Sequence, residues 1–305
     1  MSRRGWLLFS ALGIIWGTPY LLIKFAVADL SPFVVVFGRV ALAAAILLPV
    51  AAATGQLRRL RGLWGWVLVF AVVEISLPFW SLTWAEQRLS SSLTALVIAA
   101  VPLTAAVIAR ALGLDHRLGP LRLLGLGIGI IGVAALVGLD VTGDSVVSLL
   151  VLSIAVLGYA FGPIIVDTRL SQAPSLAVIA VALTLNAIGY APFAWATRPA
   201  SLSDIPMRTW LVVAVLGVLC TAVAFLLFFA LIAEVGPART TVITYVNPAV
   251  AVLLGIAVGG ETLTAGILVG FPLVIVGSIL ATRRSSGSRT ERATADSTSM
   301  PAALD

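Results

Sequence analysis

The sequence predicts an all-α membrane protein of ten transmembrane helices, arranged as two inverted five-helix repeats. Three observations carry this reading. The 305 residues are 60% hydrophobic and only 10% charged, with a mean hydropathy of +1.12, whereas a soluble chain carries about 25% charged residues. Cutting at charge clusters and at Gly, Pro and Ser breaks leaves ten apolar runs. Uncommon residues also recur, in order, at an offset of 143 to 146 positions.

The elements follow in order. A span needs about 20 mainly apolar residues to cross about 30 Å of hydrocarbon. Its backbone must be satisfied internally, which makes it a helix. The runs lie at 6–25, 32–53, 63–84, 92–110, 121–139, 146–166, 174–196, 208–232, 240–259 and 263–282. The first follows Arg3 and Arg4 and precedes Ala26-Val27-Ala28, which imitates a signal-peptide cleavage site. The run is nevertheless span-length and Lys24 sits just before that site, so it is read as a retained span. Loops are short throughout. Residues 285–305, Ser/Thr-rich and charged, read as a disordered cytoplasmic tail.

Lys and Arg set the orientation. With the N-terminus inside, Arg3, Arg4, Arg58, Arg59, Arg61, Arg110, Arg117, Arg122, Arg169, Arg239, Arg283, Arg284, Arg289 and Arg292 fall on the cytoplasmic side. Only Lys24, Arg88, Arg198 and Arg208 fall outside, and Arg39 lies within a span. Both termini are therefore expected in the cytoplasm of a multi-pass protein of the cytoplasmic membrane. The same reasoning reads the pI of about 10.4 as topology rather than nucleic-acid binding. The single Cys220 excludes an intramolecular disulfide or a cysteine zinc cluster. The lone His116 lies in a charged loop, so no metal, cofactor or catalytic constellation is expected. Gly127–Gly132 matches a dinucleotide fingerprint superficially, but lies mid-span with no strand before it.

The repeat rests on uncommon residues. Trp16 meets Tyr159 and Pro49 meets Pro192 at an offset of 143; Trp64 meets Trp210 and Pro102 meets Pro248 at 146. This divides the chain into repeats at 1–143 and 144–284. Five spans per repeat turn the second half upside down, the construction of alternating-access transporters with a midplane site.

Polar residues inside the apolar runs are the site candidates. V-V-E-I-S-L-P-F-W, 72–80, places Glu74 near the centre of the third span. An acidic side chain there costs about 2.5–3.5 kcal/mol on insertion scales, and such acids usually line a pathway. Glu74 is the proton-coupling candidate, or else a structural carboxylate satisfied by Arg39 or Ser76. Arg39 lies about one turn away in depth, close enough for a pair. Pro78 frees the carbonyl of Glu74, and Glu74, Pro78 and Ser81 share a face. Pro19, Pro102, Pro163 and Pro248 predict further kinks. Thr240, Thr244 and Asn247 form a polar face of the ninth span, as a cavity lining or as interhelical glue. Trp16, Tyr20 and Tyr159 suit either an aromatic wall or ordinary packing. Trp64 and Trp210 read as interface anchors. Gly125, Gly129 and Gly132, with Gly266, Gly270 and Gly277, are spaced for close helix packing.

I-I-W-G-T-P-Y-L-L-I-K at 14–24, F-G-R-V at 37–40, A-V-P-L-T at 100–104 and Y-V-N-P-A-V-A-V-L-L-G-I-A-V-G-G-E-T-L-T at 245–264 together resemble the EamA family of the drug/metabolite transporter superfamily. The resemblance covers residues 6 to 284. It implies export or exchange of small polar metabolites, often amino acids, through a cavity ringed by spans 1–4 and 6–9. One departure is Leu114-Asp115-His116-Arg117, where the family's acidic–apolar pair, kept at Glu261-Thr262-Leu263, is absent. The expectation is a carrier driven by protons or by the substrate's own gradient, not an enzyme. Uptake or exchange is the alternative within this fold, and a passive channel or non-transporting scaffold the alternative class. Substrate identity, coupling ion and oligomeric state are not readable from the residues.

Overall fold

The computed structural model describes residues 2–113, 119–140, 146–236, 240 and 243–282. Among them there is helix and turn but no strand. The first run is α1 (Arg3–Gly17) and α2 (Pro19–Ala26), and the second is α3 (Pro32–Ala53). The third is α4 (Trp64–Phe70) and α5 (Leu77–Ala85), joined by a π-helix over Ala71–Ser76. The fourth is α6 (Ser91–Ile98) and α7 (Val101–Ala111). Then come α8 (Pro120–Asp140), α9 (Val146–Arg169) and α10 (Ser175–Ala196). The eighth is α11 (Met207–Gly217), a second π-helix over Val218–Val223, and α12 (Ala224–Val235). α13 (Ile243–Ala257) and α14 (Ala265–Thr282) close the chain.

Seven of these runs are long and apolar enough to cross a membrane: Arg3–Ala26, Pro32–Ala53, Trp64–Ala85, Ser91–Ala111, Val146–Arg169, Ser175–Ala196 and Met207–Val235. Pro120–Leu136, Ile243–Ala257 and Ala265–Ala281 are shorter apolar helices. Asp115 and His116, where the family's acidic–apolar pair is absent, and the tail 285–305 lie outside the described residues.

Sequence chemistry explains the boundaries. Ser31 and Ser90 accept the amides of Val34 and Leu93, capping α3 and α6. Pro19 follows the break at Thr18, and Pro102 follows the turn at Ala99–Ala100. Pro78 follows the first π-helix. α9 and α13 run without interruption through Pro163 and Pro248, so the proline device expected at five positions breaks or widens the helix at three.

Contacts fix the directions of the runs. Lys24, Glu86, Ser91 and Glu261 meet at one end of the bundle, here called the Glu261 end. Asp29 and Thr209 join there, as do Ser31 and Thr197. Ser2 and Arg4 meet Glu234 at the opposite end. Gly158 of α9 lies beside Val73 and Pro78, and Gly162 beside Glu74. α9 is therefore antiparallel to the third run, and so points opposite to the first.

Glycine permits the closest packing. A Cβ on Gly125 would sit 2.5 Å from the Ala281 amide nitrogen, and one on Gly132 2.7 Å from that of Val274. α8 and α14 thus touch backbone to backbone, the role read for these glycines.

Candidate functional site

The centre of the bundle holds the polar groups that apolar packing would not select. Arg39 on α3 donates from Nε to Thr221 Oγ1 at 2.8 Å, and its guanidinium lies 4.0 Å from the Phe79 ring centre. Thr221 in turn donates to Leu216 O at 2.8 Å. Arg39 therefore bridges a helix of the first half to the π-helix of the second. Tyr20, Tyr159, Cys220 and Glu86 lie within its electrostatic reach. Arg39 and Glu74 form no ion pair; the only salt bridge among the described residues is Arg4–Glu234. The pairing suggested by their depths fails because Arg39 turns toward Thr221 while Glu74 turns toward α9.

Glu74 sits within the first π-helix and is half-buried. Its Oε2 is fully enclosed and without a hydrogen-bond partner. The carboxylate rests on Gly162, where an added Cβ would lie 1.7 Å from Oε2. Tyr159, one turn earlier on α9, is electrostatically coupled to both Glu74 and Arg39. Ser81 is buried and donates to Pro78 O at 3.3 Å, a local bond rather than a free lining group.

The carbonyls served by side chains in the first π-helix are not that of Glu74. Asn186 donates from Nδ2 to Ala71 O at 3.0 Å, Tyr190 donates to Ser76 O at 2.7 Å, and the Ser76 hydroxyl donates to Asn186 Oδ1. A π-helix shifts the i→i−4 pairing and is frequent at functional sites. The two π-helices lie 147 residues apart at both ends, Ala71 to Val218 and Ser76 to Val223. At that offset Glu74 corresponds to Thr221.

The remaining candidates divide. Trp16 packs on Phe228 and Phe225, with ring centres 5.0 and 6.0 Å away, joining α1 to α12. Asn247 keeps an enclosed Oδ1 without a partner, and its carbonyl oxygen lies 2.9 Å from where a Gly17 Cβ would be. Thr244 is exposed, whereas Thr240 is buried and bonds Gly236 O. An open pocket of about 410 Å³ lies toward the Glu234 end, lined by Gln56, Ser175, Phe229 and Ile232 among others. None of the residues predicted to line a cavity borders it. Among the described residues no three His, Cys, Asp or Glu side chains converge as a metal site.

Glu86 was not among the expected site residues, and Glu261 was read only as part of a motif. Glu86, placed in a loop by its neighbours Gln87 and Arg88, is folded into the bundle with 0% exposure. Glu261 accepts the amides of Ser91 at 2.7 Å and Ser92 at 3.0 Å, and both serine hydroxyls. Burial works to raise its pKa, but the Ser92 and Ser91 bonds prevail and hold the carboxyl below the usual carboxylate range.

Seven helical runs long and apolar enough to cross a membrane, enclosing polar groups between them, define the class: a polytopic membrane protein. The chain belongs to the EamA-like transporter family, whose model matches it twice, at residues 3–138 and 146–283. It is 30% identical over 277 residues to the "Uncharacterized inner membrane transporter YedA" of Escherichia coli strain K12, covering 89% of this chain and 88% of that one. The same protein in Escherichia coli O157:H7 matches equally. One solved crystal structure, 19% identical, superposes with a TM-score of 0.66 over 92% of this chain and 97% of its own, a likeness of fold alone.

Proposed function

We propose that the protein is a secondary or facilitative transporter that exports small polar metabolites, amino acids or related compounds, by alternating access. Ten spans in two inverted repeats, 1–143 and 144–284, would cross the cytoplasmic membrane with both termini inside. The YedA relatives are described as inner membrane transporters, which supports that location. The observation that carries the reading is the Arg39–Thr221 bond, with Tyr20 and Tyr159 around it, at the junction of the two halves. A guanidinium there is matched to a carboxylate or other anionic group of a solute. Glu74, enclosed and unpartnered, is the matching candidate for a substrate ammonium or a proton. The Glu261 end, which faces outward in this orientation, is closed by Glu261–Ser91/Ser92, Asp29–Thr209 and Ser31–Thr197, all between the halves.

The test is export of amino acids and related metabolites from cells overproducing the protein, wild type beside Glu74→Gln. Export is expected to rise with the wild type. The variant is expected to lose it or to shift its pH dependence. Normal export with an unchanged pH profile overturns the role of Glu74.

A further inference from the structure

Among the described residues, Glu86 is a carboxyl group with both oxygens enclosed and unpartnered. It caps α5, is 0% exposed, and neither Oε1 nor Oε2 has a hydrogen-bond partner. The charged and titratable groups facing it are already engaged or distant. Lys24 on α2 donates to Glu86 O at 2.9 Å and to Leu89 O at 2.8 Å, holding the backbone rather than the carboxyl. Glu261, between α13 and α14, carries a like charge and is held by Ser91 and Ser92. Arg39 on α3 is bound to Thr221 and Phe79. Tyr20 on α2 is the remaining titratable neighbour.

An ionised carboxylate enclosed without a donor is among the costliest arrangements in a protein, and such a group takes up a proton instead. We infer that Glu86 is a proton-binding site at the outer mouth, loaded when the mouth is closed and emptied when it opens to water. Burial raises this carboxyl well above the usual carboxylate range, while Lys24 lowers it only in part. The sign follows from linkage. The closed form binds the proton and the wetted form releases it, so rising pH favours opening between the ordinary carboxylate pKa and the raised one. Glu261 acts in the opposite sense and lower in pH: its clamp needs the charge, and fails as acid protonates it. The mouth is then most firmly shut with Glu86 neutral and Glu261 ionised. This rests on the proposed function for the orientation that makes the Glu261 end outer and for the existence of an open form.

Two measurements on the full-length protein in lipid nanodiscs decide it, and neither needs a transported solute. The first is the infrared C=O stretch of protonated carboxyl groups near neutral pH, in the Glu74→Gln background to remove the other enclosed glutamate. A protonated band that Glu74→Gln keeps and Glu74→Gln/Glu86→Gln loses supports the site. A band absent from Glu74→Gln, or unchanged by the second substitution, overturns it. The second is hydrogen exchange of the Leu89–Leu93 amides, corrected for intrinsic rates. Wild-type protection is expected to fall at least about tenfold between about pH 6 and about pH 9, since linkage allows about tenfold per pH unit. Glu86→Gln, permanently neutral, is expected to stay within about twofold over the same range. Equal loss in both proteins, or constant protection in the wild type, overturns the proposal. If Glu86→Gln does not fold, the band of Glu74→Gln and the wild-type pH series decide by the same criteria. Because carriage is not assayed, failure here leaves the transport reading standing, and failure of transport leaves this one.

Discussion

At the scale of single residues, two charged groups that depth alone would pair are separated by what each touches. Arg39 finds a hydroxyl acceptor in Thr221 and an aromatic face in Phe79, while Glu74 lodges against Gly162. Thr221→Val keeps the shape and removes the acceptor. A hydrogen bond to a charged group contributes about 1.5–3 kcal/mol, so this variant should unfold earlier in a detergent thermal melt. Arg39→Lys retains the charge but not the planar guanidinium over Phe79, and should raise the KM of transport more than it lowers stability. That a carboxylate and a guanidinium stood inside apolar spans was legible in the sequence, because each interrupts a run of hydrocarbon. Their partners were not. Thr221 lies 182 positions from Arg39, and nothing local distinguishes it from other threonines. Glu86 was passed over for a different reason. Gln87 and Arg88 give it the composition of a loop, and only the turn after Ala85 folds it inward.

At the scale of elements, the paired π-helices are the repeat made visible in backbone geometry. Pro78 accompanies the first, but no proline lies within the second, so proline is not the shared cause. Side chains serve carbonyls within the first and just ahead of the second. Asn186 and Tyr190 bond Ala71 O and Ser76 O, and Thr221 bonds Leu216 O. Asn186→Ala should leave the enclosed Ala71 carbonyl with one donor fewer and cost about 1–3 kcal/mol, read as a lowered melting temperature. The glycines of α9 make a sharper contrast. A Cβ at Gly158 meets backbone, 2.4 Å from Val73 O, whereas at Gly162 it meets the movable end of Glu74. Gly158→Ala should destabilise by about 1–3 kcal/mol through overpacking. Gly162→Ala should fold nearly normally and reproduce the transport defect of Glu74→Gln. Helix boundaries were largely readable from Ser caps and Pro starts. The π segments were not, because the first is met by donors from a distant helix and the second by a threonine that nothing local marks out.

At the scale of the whole molecule, Glu261–Ser91/Ser92 and Asp29–Thr209 tie the halves together at one end, and Glu234 with Ser2 and Arg4 ties them at the other. The Glu261 clamp has a defined acid limit. Its stabilisation is present above the ordinary carboxylate pKa of about 4.3 and is lost as pH falls through the lower, folded value. Glu261→Gln offers an amide where the Ser91 and Ser92 donors need an acceptor. It should reduce exchange protection of those amides at neutral pH and remove their acid sensitivity. The central claim, that the two halves expose one solute site alternately to either side, is tested most directly by counterflow in proteoliposomes loaded with unlabelled amino acid. The account predicts saturable uptake of labelled solute that is accelerated by the internal load and impaired by Thr221→Val at the Arg39 junction. Linear flux indifferent to the load, or no flux with any member of a broad metabolite panel, would contradict it.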